Sequence, residues 1–229
     1  MPIIEFPPVE SATEDGLLAI GGDLEIPSLV LAYTQGIFPW PISSTYPLAW
    51  FSPNPRGILF YKDLYISRSL KKAFNKSDHF ISVDTCFDEV ISRCANSGNR
   101  KLEGGTWITD EIQSAFRLFH RAGYAHSVEV KDEGGKLIGG LYGVFMKGVF
   151  SGESMFFESD NASKFALIWV MEFLYQNGIE WMDTQMVTPV VKSLGGSEYP
   201  RENYIELLGI ARQGSVKDPF TEKKRAINK

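Results

Sequence analysis

The chain has 229 residues and a formal net charge of −5, long enough to bury a sizeable core and too acidic for a protein that coats nucleic acid indiscriminately. Cys86 and Cys94 are the only cysteines. Placed on one helix they would stand roughly 12 Å apart, beyond the reach of a disulfide, and the absence of a Cys/His cluster predicts no metal site. The opening Met1-Pro2-Ile3-Ile4-Glu5-Phe6 has no secretory character and no apolar run is long enough to span a bilayer, so a cytoplasmic chain without a membrane partner is expected.

The first forty residues alternate turns and aromatics. Gly21-Gly22-Asp23-Leu24 makes a glycine turn, and residues 27–33 read as a short amphipathic helix with proline near its start, stopping at Gln35-Gly36. Ile37-Phe38-Pro39-Trp40-Pro41 and Trp50-Phe51-Ser52-Pro53-Asn54-Pro55-Arg56-Gly57 mix aromatics with prolines, which forbids regular helix and predicts rigid loops around a ring cluster. A strand near 58–63 leads to a helix whose spacing sets Arg68, Lys71, Lys72 and Lys76 along one side. That basic stripe is either a solvated face or a surface for phosphates.

From residue 80 the order reads strand, helix, helix, three antiparallel strands, helix, strand. Residues 80–84 form the first strand and 86–95 a helix with Phe87, Val90, Ile91 and Cys94 on its apolar side. After a loop over 96–105, Thr109 caps the helix carrying Ile112, Ala115, Phe116, Leu118 and Phe119 to a stop at Gly123. Glycine turns at Gly134-Gly135 and Met146-Lys147-Gly148 then join three strands. Asn161 stands at the N-cap position of a helix over 162–175 that has almost no polar face and must be buried nearly all round. A further helix is predicted over 201–212, and the charged tail from Lys217 reads as a frayed terminus.

The strand over 179–187 carries the first chemical signal. Side chains alternate, so Asp183 and Gln185 share one face. In a strand otherwise reading Ile179, Trp181, Met182, Met186 and Val187, that pair is costly to bury without partners. It is either a hydrogen-bonded anchor of the sheet or part of a reaction centre. Glu153, among Phe150, Met155, Phe156 and Phe157, poses the same choice. Trp107 beside glycines is core or ligand platform, and His79, His120 and His126 read as surface or hydrogen-bonded histidines rather than bases.

Along nearly its whole length the chain resembles the bacterial leucyl/phenylalanyl-tRNA–protein transferases. The resemblance lies in Gly16-Leu17-Leu18-Ala19-Ile20-Gly21-Gly22-Asp23-Leu24, Gly36-Ile37-Phe38-Pro39-Trp40, Ile66-Ser67-Arg68-Ser69, Gly105-Thr106-Trp107-Ile108-Thr109, Gly152-Glu153-Ser154-Met155-Phe156, Asn161-Ala162-Ser163-Lys164 and Asp183 with Gln185. It implies an α+β chain, with a small N-terminal domain over 1–62 and a GNAT-like acyltransferase domain over 63–229 built on a mainly antiparallel sheet. The Gln/Arg-x-x-Gly-x-Gly/Ala loop that grips the pyrophosphate of acetyl-CoA in GNAT enzymes is absent from the sequence, so neither CoA nor any other cofactor is expected.

The resemblance further implies a monomeric enzyme that moves leucine or phenylalanine, and less readily methionine, from aminoacyl-tRNA to proteins with N-terminal lysine or arginine, marking them for degradation. Glu153, Asp183 and Gln185 match the family's reaction-centre positions. Leu141, Met155, Leu167, Val170 and Met182 match an apolar pocket for the aminoacyl side chain, Trp107 and Phe116 match positions that hold the terminal adenosine, and Arg68, Lys71, Lys72 and Lys76 are candidates for acceptor-stem phosphates. On this reading Asp183, through Gln185, orients and deprotonates the attacking amine while Glu153 holds substrate. Phe51 replaces an expected tryptophan, Val190 an expected histidine and Leu141 an expected methionine. The rival readings are a CoA-dependent N-acetyltransferase and a non-catalytic module that binds tRNA or N-terminal degrons.

Overall fold

The computed structural model describes residues 2–41, 47–97, 107–221 and 226–227; most of the loop expected over 96–105 and the cations at 223–225 lie outside them. Near the N-terminus β1 (Leu17–Ile20), α1 (Ile26–Thr34), β2 (Phe38–Pro39) and β3 (Ala49–Phe51) follow one another. The strands form a three-stranded sheet ordered β1-β3-β2. Its rings pack into one core, with Phe6 edge-on to Trp50 at 5.0 Å and Trp40 against Phe51 at 5.6 Å, so the phenylalanine at 51 still fills an aromatic place.

The remaining elements are β4 (Arg56–Phe60), α2 (Arg68–Lys76), β5 (Phe80–Val83), α3 (Phe87–Asn96), α4 (Asp110–Arg121), β6 (Ala125–Lys131), β7 (Leu137–Met146), β8 (Val149–Phe157), α5 (Ala162–Gln176), β9 (Trp181–Gln185), α6 (Pro189–Ser193), β10 (Ser197–Tyr199), α7 (Arg201–Gln213) and β11 (Ala226–Ile227). Eight strands make one sheet in the order β10-β4-β9-β8-β7-β6-β5-β11. Every pairing in it is antiparallel except β8 with β9. That parallel pair needs a crossover, and α5 supplies it. The chain is thus a mixed α/β protein with antiparallel-dominated sheets. β4 falls within the first 62 residues yet pairs with β9 and β10 of the larger sheet.

Burial explains the central helix. Phe165, Leu167, Val170, Met171 and Leu174 of α5 are at most 3% exposed, each contributing roughly 1.5–3 kcal/mol. Thr109 caps α4 as expected, its side chain accepting from the Ile112 N–H at 3.3 Å. Asn161 does not cap α5: its φ of 64° puts it in the left-handed region and no side-chain cap bond forms. The tail is not simply frayed either, because Phe220 is 1% exposed and β11 pairs with β5.

Candidate active site

The parallel register of β8 and β9 sets Ser151 beside Asp183. Two residues further along each strand, on the same face, come Glu153 and Gln185, and the Gln185 Nε2 donates to Glu153 Oε1 at 2.8 Å. Three residues expected to act together are therefore joined by strand geometry. β9 ends here because Gln185 has a φ of 60°, a left-handed conformation a side chain adopts at a cost of about 1–3 kcal/mol. The turn brings the Gln185 N–H to Asp183 Oδ1 at 2.8 Å.

Asp183 has no exposed surface and is saturated. Arg56 Nε donates to Oδ1 at 2.8 Å and Nη2 to Oδ2 at 2.6 Å, while Ser151 Oγ and Tyr204 OH reach Oδ2 at 3.0 and 3.2 Å. Arg56, itself 2% exposed, also donates to the Gly36 carbonyl at 3.0 Å. Burial opposes the Arg56 charge, but Asp183 more than offsets it and holds the guanidinium above its ordinary range. Gly36 is needed at this point, for its φ is 76° and a Cβ there would lie 2.6 Å from Tyr204 Cε1. With its lone pairs committed to donors, Asp183 is built as an anchor. In this arrangement no Asp183 oxygen is left free to take a proton directly, and its link toward Glu153 runs through Gln185.

Glu153 is the opposite case. Its Oε1 accepts from both Tyr33 OH and Gln185 Nε2 at 2.8 Å, whereas the buried Oε2 has no hydrogen-bond partner among the described residues. Burial pushes this carboxyl up to about 8, against the opposing pull of its two donors. Glu153 lines a cavity of about 120 Å³, together with Leu141, Met155, Leu167, Met182 and Val191. An apolar cavity of roughly 150 Å³ takes one benzene ring, so this one suits a single apolar side chain.

Four of the five expected pocket residues line the cavity. Val170 does not: it is fully buried in the core cluster shared by Leu141, Leu167 and Met182. Trp107 and Phe116 also stand away from the lining, in the other large core cluster. Trp107 is half-buried and edge-on to Trp40 at 6.4 Å. Phe116 has no exposed surface. Its ring is packed by Tyr33, Phe119 and Tyr142 and offers no face to an adenine in this arrangement. Arg68, Lys71, Lys72 and Lys76 are all exposed on α2, and none joins an ion pair among the described residues. The segment leading into α2 is tied beside the cavity wall, for the Tyr65 N–H donates to the Leu194 carbonyl at 2.9 Å, just after the helix α6 that supplies Val191 to the lining. Val190, at the position of the expected histidine, packs on the apolar core.

Sequence reasoning missed Arg56, Tyr33, Tyr204 and Ser151. A buried aspartate implied a buried cation somewhere, and Arg56 in a stretch of prolines and aromatics was the one available signal.

A mixed sheet that holds an ionisable carboxyl at the edge of a cavity sized for one apolar side chain defines an enzyme-type site for a small amphiphilic group. No metal-holding cluster occurs among the described residues. Residues 58–209 match the family profile described as leucyl/phenylalanyl-tRNA protein transferase, and residues 22–54 match that of the same transferase's N-terminal domain. A leucyl/phenylalanyl-tRNA–protein transferase of Syntrophus aciditrophicus is 47% identical over 207 residues, covering 90% of this chain and 85% of its own. One of Colwellia psychrerythraea is 43% identical over 223 residues, covering 95% and 91%. The chain belongs to the leucyl/phenylalanyl-tRNA–protein transferase family. A solved structure titled L-PGS from Bacillus licheniformis overlays 70% of this chain and 50% of its own, with a TM-score of 0.43 and 12% identity.

Proposed function

We propose that this chain transfers leucine or phenylalanine, and less readily methionine, from aminoacyl-tRNA to the α-amine of an acceptor protein with N-terminal lysine or arginine, which marks that protein for degradation. Family membership supports the reaction. The observation that carries the chemistry is Glu153, with one oxygen fixed by two donors and the other without a partner, at the edge of a cavity for one apolar side chain. Leu141, Met155, Leu167 and Met182 hold the aminoacyl side chain, with Val170 behind them as packing. Such a pocket separates apolar neighbours only weakly, in keeping with acceptance of more than one donor.

The reaction needs one proton moved. The neutral α-amine attacks the ester carbonyl carbon, the C–N bond forms and the ester bond to the ribose oxygen breaks. In this reading Glu153 Oε2 takes the proton released from nitrogen and passes it to the departing ribose oxygen, so atoms and charge balance. A carboxyl raised to about 8 lies near the working pH, where a group can both accept and return a proton. Gln185 orients Glu153, and Asp183, neutralised by Arg56, orients Gln185. Phosphates of the acceptor stem lie along Arg68, Lys71, Lys72 and Lys76, and Trp107 flanks the terminal adenosine. In this reading the enzyme is cytoplasmic and monomeric; among the described residues no helix is long and apolar enough to cross a membrane. In the same reading the chain divides into a small N-terminal domain over 1–62 and an acyltransferase domain over 63–229; the two profile matches, over 22–54 and 58–209, are compatible with two such units.

The test is transfer of labelled leucine and phenylalanine from charged tRNA to peptides differing only at the N-terminal residue, with Glu153→Gln beside the wild type. Transfer to lysine and arginine peptides that falls sharply in the variant is the expected result. Equal transfer by both proteins would remove Glu153 from the chemistry, and no transfer by either would remove the reaction.

A further inference from the structure

The link between the N-terminal region and the reaction centre runs through one hydroxyl. Tyr33 sits on α1, 120 residues before Glu153, and its OH donates to Glu153 Oε1 at 2.8 Å. Its ring is 5% exposed and is braced by Phe116 and Phe119, with centroids at 6.5 and 6.1 Å. The phenylalanine expected to meet an adenosine thus holds the tyrosine in place. Burial, reinforced by the neighbouring Glu153 charge, pushes the phenol well above its ordinary range, so Tyr33 remains a donor at every working pH.

We infer that Tyr33 is a positioning residue for the transfer: together with the Gln185 amide it fixes Oε1 of Glu153 and leaves Oε2 as the oxygen that handles the proton. The inference rests on the role of Glu153 proposed above. A carboxylate free to rotate would present either oxygen, or neither, to the cavity, whereas two donors converging on Oε1 select one orientation. The other groups facing Glu153 are Asp183 on β9, Arg56 on β4 and Tyr142 on β7. Asp183 and Arg56 are locked to each other, and Oε1 of Glu153 accepts from Tyr33 and Gln185.

Tyr33→Phe keeps the ring and removes only the hydroxyl. Single-turnover transfer measured across pH in Tyr33→Phe, Glu153→Gln and the double variant tests the inference. At neutral pH Tyr33→Phe is expected to slow transfer about tenfold, the worth of one hydrogen bond to a charged group. Loss of a donor makes the carboxylate hold its proton more tightly, so the rise of rate with pH should move to higher pH and part of the activity should return there. In the Glu153→Gln background the same change should alter the rate by less than about twofold, because its effect passes through Glu153. An equal loss in both backgrounds, or a pH profile that does not move, would overturn the positioning role. Unimpaired Tyr33→Phe beside an impaired Glu153→Gln would overturn it alone. Unimpaired Glu153→Gln would overturn both this inference and the proposed chemistry.

Discussion

Arg56 and Asp183, separated by 127 residues, form a two-point ion pair at 2.8 and 2.6 Å in which neither side chain is more than 2% exposed. Tyr204 OH and Ser151 Oγ complete the cage around Oδ2. Breaking a buried pair by removing one partner strands a charge and costs about 3–5 kcal/mol. Arg56→Met and Asp183→Asn should each lower unfolding stability by that amount in urea titrations. The combined variant should lose clearly less than the sum. Singles that cost under about 1 kcal/mol would show that the pair is not what holds this end of the sheet. An inactive Asp183 variant is therefore poor evidence for direct chemistry unless its fold is measured alongside.

The pH profile reports on Glu153. With Glu153 raised to about 8 and the acceptor amine near roughly 7.7–8.0, kcat/KM should rise with pH through two ionisations and flatten above them. Glu153→Gln should leave one ionisation, that of the amine. A raised carboxyl also carries a stability signature: its contribution is full below its ordinary range near 4.5 and is lost as pH rises through about 8. Unfolding stability of the wild type should fall across that window relative to Glu153→Gln. Parallel stability curves for the two proteins would contradict the raised value.

Much of this arrangement was legible in the sequence. Strand alternation put Asp183 and Gln185 on one face, and turn glycines with apolar runs gave the order of elements from residue 80. What stayed hidden depends on contacts remote in sequence. No local pattern marks Arg56 as the partner of Asp183, or Tyr33, one more apolar residue of a short helix, as a ligand of Glu153. Family resemblance named Val170 for the pocket and Phe116 for the adenosine, yet Val170 packs in the core behind the lining and Phe116 braces Tyr33, because position along a helix does not say which side chains reach a cavity. Asn161 misled for a different reason: asparagine tolerates the left-handed region as readily as it caps.

The cavity should set donor preference by volume. At about 120 Å³ it has little spare room, and Leu167→Phe would take up part of what there is. Transfer of phenylalanine should then fall more than transfer of leucine, by roughly 10- to 100-fold in relative kcat/KM, at a stability cost of about 1–3 kcal/mol for overpacking. Equal losses for both donors would place the side-chain pocket elsewhere.

The basic face of α2 makes a separate prediction. If Arg68 and Lys71 each neutralise a phosphate, replacing both by glutamine should weaken binding of charged tRNA and reduce the slope of log K against log salt by roughly 0.7–0.9 for each phosphate no longer neutralised. Transfer from an aminoacyl-adenosine, which lacks those phosphates, should be unchanged. An unaltered salt slope would return the stripe to a merely solvated surface.

His126 ties the C-terminal segment to the sheet and is held in its charged form. Its Nδ1 lies 2.8 Å from Asp84 Oδ2 and its Nε2 3.1 Å from Asp218 Oδ2, and its ring stacks on Phe220 at 4.6 Å. Burial works against the charged imidazole, but the two aspartates prevail and lift it from 6.5 to about 9. The resulting stabilisation, on the order of 3 kcal/mol, is fully present below 6.5 and lost as pH rises through about 9. His126→Gln should therefore destabilise the protein strongly at pH 6 and hardly at all at pH 10, read as the difference between wild-type and variant unfolding midpoints. Because Phe220 also packs on Phe145, Phe150 and Phe173, Phe220→Ala should cost about 3–5 kcal/mol at either pH. A His126→Gln penalty that does not change with pH would mean the histidine is neutral and merely wedged between its neighbours.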